Sequence, residues 1–200
     1  MLERTSAPVY VVEQPLMNQL AGFNMHRGCV ALAHRPGRQT LAACNLASLA
    51  RVLVLEGVNN PDNVGGLFRS AAAFGVDAVV LGPSCGDPLY RKAIRTSMAA
   101  TLQVPFVDAG AWPGALHELR RHGLGVLALT PAADARPLDT IRREDIARCA
   151  LIVGNEGEGL SAGAIDAAND AVRIDMRGGV DSLNVVVAAS IAMHEFFRGS

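Results

Sequence analysis

The chain has 200 residues, half of them hydrophobic and 18% charged, with a formal net charge of −1. This is an ordinary soluble composition, long enough for one well-buried domain and a small second piece. It excludes a chain that draws nucleic acid over its whole surface, so any RNA or DNA site must be a local patch. Lys92 is the only lysine among 18 basic residues, an arginine excess that suits phosphate recognition but that accompanies an alanine-rich composition. Cys29, Cys44, Cys85 and Cys149 are far apart and form no CxxC or Cys/His cluster, so the expectation is reduced thiols in a cytoplasmic protein, with no zinc and no other metal. The start, MLERTSAPVYVVEQ, has no apolar core of a leader, and the longest late apolar run, LNVVVAASIAM, is too short to span a bilayer.

Along the chain, PVYVVEQ, PLMNQLAG and CVALAHRP predict a small strand–helix–strand unit, followed by a Pro/Gly/Arg linker, RPGRQTLAAC. The boundaries drawn are 1–45 for this segment with its linker and 46–200 for the main domain. From residue 51 the pattern alternates. RVLVLEG reads as a buried strand, followed by a helix through about Phe74. DAVVLG is a strand, DPLYRKAIRTSMAA a helix and QVPFVDA a strand. WPGALHELRRHG is a helix stopped by Gly123, and LGVLALT and ALIVGN are strands. SAGAIDAAND is a short helix, AVRID a strand, and SLNVVVAASIAMHEFFRG a last helix ending at Gly199. Short β-branched runs between helices predict an α/β fold, an open and mainly parallel sheet of about six strands with helices on both faces. Ligands of such sheets bind beyond the carboxyl ends of the strands.

Three unusual loops each follow a strand: NNPDNVGGLFRS, GNEGEGLS and MRGGVDSLN. In a parallel sheet all three can lie on one edge and build one composite site. In the first, Asn60 is a good N-cap, Pro61 suits the first helical position and Asp62 complements the dipole. Arg69 falls about 140° round the helix from Val64, off the apolar stripe. Gly65 and Gly66 weaken the helix by roughly 1 kcal/mol each against alanine, which either close packing or a ligand explains. In the second, Ser161 reads as an N-cap, but Glu156 and Glu158 would repel a phosphate, and neither a P-loop lysine nor a GxGxxG order is present. A ligand with a positive centre, or one held by backbone groups, fits better. In the third, Ser182 reads as the N-cap of a helix that is apolar nearly all round, which implies burial on several sides and a second subunit.

These three segments together, "NNPDNVGGLFRSAAAFG", "LIVGNEGEGLS" and "IDMRGGVDSLNVVVAASI", resemble the three ordered motifs of the SpoU-type (TrmH-like) RNA ribose 2′-O-methyltransferases of the SPOUT superclass. The resemblance covers about residues 51–198. It implies a C-terminal trefoil knot, S-adenosylmethionine (SAM) as methyl donor, rRNA or tRNA as substrate, and a homodimer formed through the knot and the last helix. Arg69 matches the family's catalytic arginine, and Asn63, Glu156, Ser182 and Asn184 match the polar positions around it. Gly154, Ile174 and Leu183 match donor-contacting positions, with Asn155, Gly159, Met176 and Thr130 beside them. Arg91, Lys92 and Arg95 on one helix, and His26, Arg27, Arg35 and Arg38 earlier, are candidates for RNA contact. Three departures stand out. Asp175 replaces a common proline, which alters how the third loop is held or adds charge near the donor. Ala99 replaces a usual glycine, read as a minor change. Residues 1–50, with GFNMHRGCVALAHRP, resemble only the latter part of the L30e-like RNA-binding domain that precedes many members. Two rival readings are a non-catalytic RNA-binding paralogue with the same fold and a nicotinamide-dependent oxidoreductase; the missing GxGxxG disfavours the second.

Overall fold

The structure, a computed structural model, describes residues 7–25, 31–142, 147–178 and 182–197. The chain forms two compact units, Met1–Gly37 and Arg38–Ser200. In the first, α1 (Gln14–Ala21) starts with a proline in its first turn and ends at Gly22, whose φ of 75° lets its N–H reach the Asn18 carbonyl. The Asn18 side chain ties the turn by accepting from the Met25 N–H and donating to Asn24. The strands expected on either side of α1 are not formed among the described residues. Val9, Tyr10, Val11 and Leu32 are exposed, and an apolar run becomes a strand only when a neighbour pairs with its backbone.

The second unit is built on a seven-stranded sheet. Its elements are β1 (Arg51–Leu55), α2 (Pro61–Ala73), β2 (Ala78–Leu81), α3 (Arg91–Thr96), β3 (Phe106–Asp108), α4 (Gly114–Arg121), β4 (Gly125–Leu129), β5 (Arg136–Pro137), β6 (Cys149–Val153), α5 (Ala162–Ala167), β7 (Asp170–Arg173) and α6 (Val185–Phe197). The order is β3-β2-β1-β6-β4-β7-β5, and every pairing is parallel. The six expected strands are present. The seventh, β5, has two residues and no apolar run to mark it; its Pro137, which has no N–H to donate, sits on an edge strand.

Period-two alternation divides the core. Leu53, Leu55, Leu127, Leu151 and Val153 face one way, into a layer with Val64, Leu67 and Phe68 of α2 and Ala189, Met193 and Phe197 of α6. Val52, Val54, Val126, Ala150 and Ile152 face the other, against Leu116 and Leu119 of α4 and Ala164 and Ala167 of α5. Leu41 and Leu46, ahead of β1, are buried in that second layer. Helices therefore cover both faces, as β-branched runs without alternation require.

Local chemistry explains the element ends. Asn60 caps α2 by accepting the Asp62 N–H at 2.9 Å, and Ser161 caps α5 by accepting the Ala164 N–H at 3.2 Å. α6 departs from expectation. Its cap is Asn184, whose Oδ1 accepts the Val186 N–H at 3.0 Å and whose carbonyl accepts from Ala188, so Ser182 is free of that role. The helix expected over 87–100 is also shorter, because Met98 (φ 53°) and Ala99 (φ 67°) leave α3 through the left-handed region. That conformation opposes any side chain, so the alanine in the place of a usual glycine is a local strain rather than a neutral change. No helix among the described residues is long and apolar enough to cross a membrane.

Candidate functional site

Because the sheet is parallel, the loops after β1, β4, β6 and β7 emerge on one edge. The loop after β6, residues 154–161, is folded tightly. Asn155 forms a bridge with Gly159, whose N–H donates to the Asn155 carbonyl at 2.9 Å, and the Asn155 Oδ1 accepts the Gly157 N–H at 2.7 Å. Its amide nitrogen donates to the Gly57 carbonyl at 2.9 Å, joining this loop to the one after β1. Gly154 is required by close approach, since a Cβ there would lie 2.5 Å from the Gly159 carbonyl oxygen. Gly159 is required by its φ of 71°.

Glu156 joins the three motifs. Its Oε1 accepts the Asn63 amide at 2.6 Å and the Asn184 amide at 2.9 Å, and Asn184 also donates to the Asn63 Oδ1 at 3.3 Å. Asn63 is 8% exposed, so its amide depends on these bonds. A carboxylate is the one group here that can accept from two amides at one oxygen without presenting a donor of its own.

Beside this cluster lies a cavity of about 510 Å³, lined by Thr130, Gly154, Asn155, Glu156, Glu158, Gly159, Ile174, Met176, Ser182 and Leu183 among others. That size suits a small-molecule site. All seven residues expected to contact a donor line it: Thr130, Gly154, Asn155, Gly159, Ile174, Met176 and Leu183. Among the described residues its lining holds two carboxylates and no Lys, Arg or His side chain, with apolar walls from Leu129, Val153, Val185 and Ala188. Such a lining disfavours phosphate and accepts a ligand bearing positive charge.

Of the five polar positions expected around the chemistry, Asn63, Glu156 and Asn184 are brought together and Ser182 lines the cavity. Arg69 is not among them. It is exposed on α2, six residues beyond Asn63, which is about 9 Å along the axis and 120° round it. Gly65 and Gly66 serve packing: a Cβ on Gly65 would lie 2.7 Å from the Ala93 carbonyl of α3, and one on Gly66 would lie 2.9 Å from Val186 of α6. Ser70 and Ser190 share a 2.8 Å hydrogen bond across the same α2–α6 seam.

Arg91, Lys92 and Arg95 are exposed on α3 and lie outside the cavity lining. Lys92 pairs with Asp62 at 2.7 Å, and this ammonium, with Thr96, holds the Asp62 carboxyl below the usual carboxylate range. Arg91 and Arg95 make no ion pair among the described residues. Arg38 pairs with Asp108 at 3.2 Å. Arg35 is exposed in the first unit, and His26 and Arg27 lie outside the described residues. Asp175 accepts from Arg173 at 2.9 Å and is absent from the cavity lining, while Arg173 also donates to the Ala133 and Ala135 carbonyls. The substitution thus affects how the third loop is held, not the charge facing the cavity.

One residue escaped the sequence reading. Glu56, at the end of β1, is 7% exposed and accepts from Trp112 and Ser161. A lone glutamate closing an apolar strand, LVLEG, was the available signal.

Known proteins resemble this chain in sequence and in fold. Residues 50–194 match the model of the SpoU rRNA Methylase family. An uncharacterized tRNA/rRNA methyltransferase of Mycobacterium tuberculosis is 43% identical over 98% of this chain and 68% of its own length. The 23S rRNA (guanosine(2553)-2′-O)-methyltransferase of Bacillus subtilis is 29% identical over 95% of this chain and 73% of its own. Among solved structures, an RNA methyltransferase of the TrmH family from Porphyromonas gingivalis superposes with a TM-score of 0.68 at 30% identity, over 74% of this chain and 59% of that one. An AdoMet-bound rRNA methyltransferase from Sinorhizobium meliloti gives 0.67 at 27% identity, over 74% and 56%. The chain therefore spans less than two thirds of those solved proteins.

Proposed function

The chain belongs to the SpoU rRNA methylase family, and from that premise we propose that it is a SAM-dependent methyltransferase acting on a ribose 2′-hydroxyl of rRNA or tRNA in the cytoplasm. The observation that carries this reading is the union of the Asn63–Glu156–Asn184 cluster with a cavity that has carboxylates and, among the described residues, no cationic side chain. The cavity fits the donor on its own chemistry: it has the volume of a small-molecule site, an anionic lining suited to a sulfonium, and the close-packed backbone of 154–159 to meet a nucleoside. The AdoMet-bound relative supports the same assignment.

When bound, SAM supplies an electrophilic methyl group, which the hydroxyl oxygen receives as the carbon–sulfur bond breaks. This chain's residues must align the two partners and take up the hydroxyl proton. Gly154, Asn155, Gly159, Ile174, Met176, Leu183 and Thr130 hold the donor, and Ser182 opens on the same space. Glu156 keeps Asn63 and Asn184 in register at the site. Arg69 stays protonated and grips the target phosphate rather than acting as a base, a task suited to a bidentate donor. Its guanidinium makes no hydrogen bond or ion pair among the described residues and is free for that role.

Arg69 stands away from its own chain's cavity, which favours a homodimer in which Arg69 of the partner subunit completes the site. The exposed stripe of Val187 (48%) and Ile191 (40%) on α6 supports the same assembly. The C-terminal strand β7 lies between β4 and β5, which are consecutive in the chain, and this supports the knotted topology. Arg91 and Arg95 are placed to track RNA phosphates.

Arg69→Ala tests the assignment. SAM binding measured by calorimetry is expected to persist while methyl transfer to RNA is lost; retained turnover would sink the role of Arg69. Wild-type protein that is stabilised by NAD and not by SAM in a thermal shift assay would overturn the reading as a whole.

A further inference from the structure

The two ends of the 154–161 loop are fixed to one residue of β1's exit. The Glu56 N–H donates to the Val153 carbonyl at 2.9 Å, directly before the loop. At the loop's far end, the Ser161 Oγ–H donates to Glu56 Oε1 at 2.6 Å and the Ser161 N–H to Oε2 at 2.9 Å. The Trp112 Nε1–H completes the set, donating to Oε1 at 2.7 Å. No ion pair holds this carboxylate among the described residues, so three hydrogen bonds offset its burial.

From this geometry we propose that Glu56 is a positioning residue for the donor: it closes the loop whose Gly154–Gly159 backbone forms one wall of the cavity. The inference rests on the proposed methyltransferase reading for the identity of the ligand. The chemistry requires a carboxylate. All three donors converge on two oxygens, one of which takes both Trp112 and Ser161 Oγ. A glutamine at this place must turn its NH₂ either toward the Ser161 N–H or toward the Trp112 N–H. Either way two donors face each other at a buried position. The loop's exit is then released, and donor binding must order it at a loss of affinity.

Trp112 separates this role from a general contribution to folding. Its indole donates to Glu56 from the segment just ahead of α4, and the ring packs over Gly82, where a Cβ would lie 3.2 Å away. Trp112→Phe removes one bond to the carboxylate and leaves both Ser161 bonds in place.

The experiment compares Glu56→Gln and Trp112→Phe in the full chain by three readouts: thermal midpoint without ligand, SAM affinity by calorimetry, and amide exchange over residues 155–160. A charge-assisted hydrogen bond lost from the bound-state geometry corresponds to about ten-fold in affinity. Glu56→Gln is expected to weaken SAM binding by about that factor or more and to speed exchange in the loop. Trp112→Phe is expected to lower the midpoint while leaving affinity within about two-fold. Equal affinity losses in the two variants, or an unchanged affinity in Glu56→Gln, overturn the proposal. Should Glu56→Gln fail to fold, Ser161→Ala removes one of the two loop bonds and carries the same comparison. Should wild-type protein bind no SAM, the methyltransferase reading fails, and loop exchange alone decides: unchanged protection in Glu56→Gln overturns the tether.

Discussion

The three glycines of GNEGEG stand in the loop for different physical reasons, and a matched alanine series separates them. At Gly154 a Cβ would meet only backbone: the Gly159 oxygen at 2.5 Å, the Gly159 carbonyl carbon at 2.6 Å and the Leu160 nitrogen at 2.8 Å. To reach even a 3.0 Å contact the Gly159 carbonyl must retreat by 0.5 Å, which shifts the residue whose N–H closes the bridge to the Asn155 carbonyl. Overpacking of this kind costs about 1–3 kcal/mol and the strained backbone hydrogen bond about 1 more, so Gly154→Ala should lose roughly 2–4 kcal/mol. For a chain of this size that is a fall of about 4–16 °C in midpoint. Gly159 has nothing within 4 Å of its Cβ position but a φ of 71°, so alanine there meets only the left-handed penalty. That penalty, less the entropy alanine spares the unfolded chain, leaves a net loss of about 1 kcal/mol. Gly157 has an ordinary φ and its nearest neighbour is the Asn155 Oδ1 at 3.4 Å; alanine should be neutral or stabilising by a few tenths of a kcal/mol. Thermal melts and SAM titrations of the three variants check the order. A Gly157→Ala variant as damaged as Gly154→Ala, or a Gly154→Ala variant with a wild-type midpoint and affinity, would refute the reasoning.

Other expectations follow from single contacts. Glu156→Ala leaves the buried Asn63 amide without its 2.6 Å acceptor, a loss of about 1–3 kcal/mol visible in denaturant unfolding and accompanied by loss of methyl transfer; a variant with full turnover would remove Glu156 from the site. Ala99→Gly relieves a φ of 67° and should raise stability by about 0.5–1 kcal/mol, seen as a higher melting midpoint, and a lower midpoint would show that the alanine methyl matters more than the strain. Burial pushes the Cys149 thiol up to about 12. The folded state therefore keeps its proton while the unfolded state loses it near the ordinary thiol value of 9.0, so this group's stabilisation is complete below pH 9 and is lost between 9 and about 12. Thiol labelling at pH 8.5 should accordingly reach Cys149 only on unfolding, and fast labelling of the native protein would contradict its burial.

Much of the architecture was legible because it depends on local pattern. The runs RVLVL, AVVL and CALIV could only be strands buried on both faces, and Asn60–Pro61–Asp62 marked the start of α2 without reference to anything distant. The three loops could be placed on one edge because parallel strands share a carboxyl end. What the chain did not disclose is settled by partners far away in sequence. β5 exists because β7 offers it an edge, and the run at residues 8–14 fails as a strand because none is offered. Asn184 rather than Ser182 caps α6, a choice that depends on where the Glu156 carboxylate lies, 28 residues earlier. Arg69 was placed correctly off the apolar stripe, but periodicity gives an angle about one helix, not its distance from a site. Glu56 carried no motif, and its role rests on Trp112 and Ser161, 56 and 105 residues away.

The two glutamates of the loop after β6 divide the electrostatic work. Glu156 is occupied: two amides converge on one of its oxygens, so its charge goes into holding three motifs together. Glu158 lines the same cavity and accepts no hydrogen bond among the described residues, so its field remains available to a ligand. With no basic side chain among the described residues of the lining to cancel it, the cavity discriminates by charge before any contact is made. A sulfonium donor carries a positive centre that its spent thioether lacks. The same carboxylate that favours entry of the charged donor therefore has less hold on the neutral product, and the asymmetry acts in the direction that turnover requires. Phosphate recognition has to be supplied from elsewhere, and Arg69, Arg91 and Arg95, which make no ion pair among the described residues, all stand outside that lining. An anionic pocket beside detached cationic groups is what a reaction between a cationic donor and a polyanionic acceptor demands.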